Sequence, residues 1–82
     1  MNTQVVIDLA KEKPDRFYVD DNNFILDKET GTLVLINPID DQLIGTIPDE
    51  DIKSWKLEIK ELVNNNLIEP EVFERFNNKY SK

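Results

Sequence analysis

Two apolar stripes at helical spacing dominate the last third of this chain. Residues 48–63 read PDEDIKSWKLEIKELV, where Ile52, Trp55, Ile59, Leu62 and Val63 recur mostly three or four positions apart and so share one side of a helix. Val72, Phe73, Phe76 and Tyr80 repeat the pattern in the segment EVFERFNNKY. The polar stretch NNNLIEP lies between them, so the spacing predicts a two-helix hairpin over residues 48–80. Such a stripe must be buried, either by the residues upstream or by a partner. Asp49 is the expected N-cap of the first helix, and Glu50 and Asp51 follow it where the helix dipole favours negative charge. One of Asn64, Asn65 and Asn66 should take the left-handed position that ends that helix. Pro70 suits the first turn of the second helix, and residues 77–82 are expected to fray.

The upstream half reads as short strands. Residues 24–27 and 32–37 form the best pair, because Gly31 in the intervening KETG supplies the positive φ that a hairpin loop with a glycine bulge needs. Leu33 and Leu35 alternate with Val34 and Ile36, so both faces of that strand are apolar and the strand should be central. QVVIDL (4–9), residues 17–19 and residues 42–47 are three further strand candidates. Pro14 interrupts the charged connector KEKPDR, while DDNN (20–23) and PIDD (38–41) read as turns. Strands first and helices last predict an α+β fold: an antiparallel meander of three to five strands packed against a C-terminal helical hairpin. All 82 residues form one domain in this reading, mainly β over 1–47, helical over 48–80, with a frayed tail at 81–82.

The hairpin segment IKELVNNNLIEPEVFERFNNKY resembles the SHOCT (short C-terminal) domain, whose pattern is a helix, a tight turn, an apolar pair and an acidic restart with a buried Phe. Leu62, Leu67, Ile68, Glu71, Phe73 and Glu74 carry the resemblance. Asn65 or Asn66 stands where that family usually has Gly, Glu69 where it has Thr, and Phe76 and Tyr80 replace its Leu-rich end. About a quarter of the chain is involved, and what the resemblance implies is an interaction or oligomerisation element without catalysis.

Composition narrows the chemistry. The chain has neither Cys nor His, which removes disulfides, thiol nucleophiles, the commonest general base and the commonest zinc ligands. DKETGTL (27–33) resembles the DKTGTL phosphorylation motif of P-type pumps, but Glu29 breaks the spacing and a hairpin turn explains the residues. DDNNF is rich in oxygen donors, yet a calcium loop counted from Asp20 would need Gly at Ile25 and Glu at Gly31. Phe17, Tyr18 and Phe24 lie among Asp15, Asp20 and Asp21 instead of the basic residues of a base-stacking platform. An enzyme is not expected, and no cofactor or metal is assigned. No apolar run is long enough to span a bilayer, and MNTQVVIDLAKEK lacks the basic-then-apolar order of a signal peptide, so the expected location is the cytoplasm.

The net charge of −7 disfavours direct contact with nucleic acid or anionic lipid and favours a protein partner, a basic one in particular. Nine acids and four bases fall in the first 47 residues. Asp20, Asp21, Asp27, Glu29, Asp40 and Asp41 lie in turns or strand ends of the meander and form the candidate acidic contact surface. The hairpin stripe of Ile52, Trp55, Ile59, Leu62, Val63, Phe73, Phe76 and Tyr80 is either core or the interface of a homodimer. Two functions are therefore expected. One is a small non-catalytic interaction module: an adaptor, regulator or accessory protein, with Asn, Ile and Lys usage in keeping with an AT-rich phage or mobile element. The other is an acidic DNA mimic that occupies the basic site of a nucleic-acid-binding protein.

Overall fold

The hairpin around Gly31 forms as expected, and the sheet extends from it on both sides. The computed structural model describes residues 3–20, 23–37 and 39–81. Its elements are helix α1 (Thr3–Lys11), strands β1 (Phe17–Asp20), β2 (Phe24–Asp27), β3 (Leu33–Asn37) and β4 (Gln42–Ile44), and helices α2 (Asp49–Asn64) and α3 (Pro70–Tyr80). The strands form one antiparallel sheet in the order β1-β2-β3-β4. Gly31 has φ +79°, its N–H donates to the Asp27 carbonyl at 2.8 Å, and the Asp27 N–H donates to the Thr32 carbonyl at 2.9 Å. That loop fixes the register Leu26 to Leu33 and Phe24 to Leu35.

Period-two alternation divides the sheet residues between two cores. Phe24, Leu26 and Leu33 face the helical hairpin and join Ile59, Leu62, Ile68, Val72 and Phe76 in the larger cluster. Ile25 and Ile36 face the other way and join Ile7 and Ala10 of α1. The protein is thus a three-layered α+β fold, with the sheet between α1 and the α2–α3 hairpin. β2 and β3 are the inner strands, as the two apolar faces of β3 require.

Four local expectations are corrected. Residues 4–9 are not a strand, so the first 47 residues are not purely β: Thr3, Ile7 and Ala10 make one buried helical face, which outweighs the strand preference of Val5, Val6 and Ile7. Asp49 is the first residue of α2, and Pro48 occupies the cap position without a side-chain cap bond. The third predicted strand stops at Ile44, and residues 45–48 run on without ladder pairing to the buried Ile47. Finally, residues 77–80 are helical. Pairing of β3 with β4 ends at Leu35–Ile44, and the Tyr80 hydroxyl accepts the Leu33 N–H at 3.0 Å where the strand has stopped. Lys82 lies outside the described residues.

The end of α2 follows its sequence closely. Asn66 adopts φ +61°, its N–H donates to the Val63 carbonyl, and the Leu67 N–H donates to the Leu62 carbonyl at 2.9 Å. This is the paired closure of a Schellman motif, with Asn in the position that Gly usually fills.

Candidate functional site

The meander separates the described acidic candidates. Asp20, Asp40 and Asp41 lie at the end of the sheet that carries the β1–β2 and β3–β4 turns, whereas Asp27 and Glu29 lie at the opposite end. Asp21 lies outside the described residues. Most of the acids at both ends are engaged within the protein. Arg16 donates to both Asp27 oxygens, at 3.1 and 3.3 Å, and reaches Glu29 at 3.3 Å. Asp41 accepts the backbone N–H of Thr3 at 3.0 Å and also the Thr3 hydroxyl, so it anchors the first turn of α1 from the far side of the sequence. Asp40 accepts from Asn37 Nδ2 at 3.1 Å, and Asp20 accepts from Asn23 Nδ2 at 3.4 Å.

These bonds set a pH dependence. Burial pushes the Asp27 carboxyl up, but Arg16, the Glu29 N–H and the Thr30 hydroxyl together outweigh it and hold the group below its ordinary 3.8. The Thr3 hydroxyl and N–H hold Asp41 below 3.8 as well. A carboxylate depressed by folding contributes stability above its unfolded pKa and loses it as pH falls through the folded value. Urea midpoints should therefore hold as pH falls towards 3.8 and decline below it, as far as these two groups are concerned. In an Asp27→Asn, Asp41→Asn double variant that acid decline should be visibly shallower; an unchanged decline would remove both groups from the account.

On the α1 side the sheet is only partly covered. An apolar groove of about 360 Å³ runs beside α1. Its floor takes one residue from each strand, Phe17, Ile25, Val34 and Leu43, and its wall is α1 through Val6, Leu9 and Ala10. Glu12 and Lys13 are the polar residues of its lining. Val5 beside the groove is 53% exposed, and Leu9 in its wall is 57% exposed. The width of the sheet explains the gap: four strands about 4.8 Å apart need more cover than one helix roughly 10 Å wide can give. The opposite face has two helices over it, and all eight stripe residues of the hairpin pack there. That stripe is therefore core. Leu62, Ile68 and Phe73, three of the residues shared with the SHOCT pattern, face this chain's own sheet.

A second depression, of about 410 Å³, lies between the β1–β2 turn and α2 and is lined by Asp20, Asn23, Phe24, Asp51, Ser54, Trp55 and Glu58. Trp55 forms part of its wall and meets Phe24 edge-on at 5.3 Å between ring centres. Sequence reasoning did not join Asp51 and Glu58 to Asp20, because only the packing of α2 on the sheet brings them together. Among the described residues no group of three or more carboxylates is arranged to hold a metal ion, and no helix is long and apolar enough to cross a membrane. No protein-family model, curated protein or solved structure matches this chain.

Proposed function

We propose that this chain is a small non-catalytic protein-interaction module of the cytoplasm, and that it binds through the apolar groove beside α1. The observation that carries the reading is the mismatch between the two faces of one sheet. The hairpin face is covered by two helices, while the α1 face leaves Val34 and Leu43 half-buried beside the exposed Val5 and Leu9. Exposed apolar surface continuous with an apolar groove is the usual mark of a contact site. Asp27, Glu29 and Asp41 have intramolecular partners, which favours an apolar contact over an acidic display aimed at a basic site.

Affinity capture from lysate of the source cells, with wild type and two variants, tests the reading. Leu9→Lys should release a specifically retained protein, whereas the Asp20→Asn, Asp40→Asn double variant and salt near 1 M should leave it bound, since salt at that level screens exposed charges within about 3 Å. Retention that is lost on neutralising the acids or raising salt, and kept in Leu9→Lys, would instead support the acidic decoy.

A further inference from the structure

We propose that α1 is a gate: it leaves the sheet as one unit while the four strands and the α2–α3 hairpin stay folded. The two cores share strands but no side chains. Among the described residues, the larger core takes nothing from α1, whereas the smaller one depends on Ile7 and Ala10. Departure of α1 therefore bares Ile25 and Ile36 and leaves the packing of Phe24, Leu26 and Leu33 on the other face in place. A helix of nine residues is shorter than the roughly 12–15 that hold together alone in water, so α1 unfolds as it leaves.

The bonds at its two ends define a hinge and a latch. Arg16 is pinned to the central hairpin: its carbonyl accepts the Lys28 N–H at 2.7 Å, and its guanidinium holds Asp27. Lys28 Nζ donates to the Pro14 carbonyl at 2.7 Å. The chain from Pro14 onward is thus tied to the hairpin loop, and the exposed Glu12 and Lys13 are the residues left to swing. At the other end Asp41 sits on an exposed turn with φ +52° and accepts the Thr3 N–H at 3.0 Å, together with the Thr3 hydroxyl. Opening dismantles the groove, because Val6, Leu9 and Ala10 depart with the helix and only the sheet floor remains. The opening is a property of the chain alone and does not depend on what the groove binds.

Native-state hydrogen exchange of the purified chain, followed residue by residue at urea concentrations below the global transition, tests this. The amides of residues 7–11 should exchange at least about tenfold faster than those of Val34, Leu62 and Phe76. They should also accelerate together as urea rises, as a single opening that exposes surface requires. Ile59→Val trims the larger core and leaves α1 untouched. It should speed exchange at Val34, Leu62 and Phe76 by roughly two- to tenfold and leave residues 7–11 at their wild-type rates, because α1 opens without breaking that core. Residues 7–11 exchanging as slowly as Val34 and Leu62, rates there that ignore urea, or acceleration of both sets in Ile59→Val would overturn the proposal.

Discussion

Gly31→Ala should remove a large part of the stability of this protein. A Cβ on Gly31 would lie 2.5 Å from the Arg75 carbonyl carbon and 2.5 Å from the Phe76 nitrogen, both backbone atoms of α3. Neither can rotate away as a side chain would, so α3 must lift from the hairpin loop. The residue also holds φ +79°, where an L side chain is strained. Strain and displacement together should cost roughly 3–5 kcal/mol, against a total of about 4–12 kcal/mol for a domain of this length. Urea unfolding should show a midpoint for Gly31→Ala lower than wild type by roughly 1–5 M. Gly45→Ala is the control: a Cβ there meets nothing within 4 Å, and the midpoint should move little. Equal effects at the two glycines would contradict the close seating of α3 on the loop.

Phe76→Ala should be comparably damaging through a different mechanism. Phe76 is fully buried in the larger core, and its ring lies 4.9 Å from that of Tyr80. Truncation removes a large apolar ring and leaves a void under α3, at a cost of about 3–5 kcal/mol. Phe73→Ala, at a half-buried position of the same helix, should cost distinctly less. Phe76 shares its backbone contact with Gly31, so the two substitutions should not be additive: once α3 has lifted, the ring has less packing to lose. An additive double variant would place the two positions in separate cooperative units.

Where the sequence was readable, a local rule and the tertiary context agreed. The stripe from Ile52 to Tyr80 announced the hairpin because its spacing leaves only one face to bury. Gly31 announced the central hairpin because few other residues hold that φ, and Asn66 took the left-handed position for the same reason. Helix α1 was misread as a strand because the run VVIDL has strand propensity and its anchor, Asp41, stands 38 residues away. That misreading hid the groove, since a strand at the edge of the meander would have left no helix to wall it. The acidic set was only partly legible for a related reason. Turn chemistry predicts where Asp falls, but not that Arg16 will bind Asp27 and Glu29 or that Thr3 will bind Asp41.

The central claim is that this protein makes its contacts through the uncovered part of the sheet beside α1. Methyl NMR spectra of the labelled chain, recorded with and without unlabelled lysate of the source cells, test it most directly, because each groove residue reports separately. The account predicts lysate-dependent shifts or broadening at Val5, Val6, Leu9, Val34 and Leu43, with Ile59, Leu62 and Leu57 unmoved. Shifts centred on Leu57 or Leu67 of the hairpin, with the groove methyls constant, would contradict it.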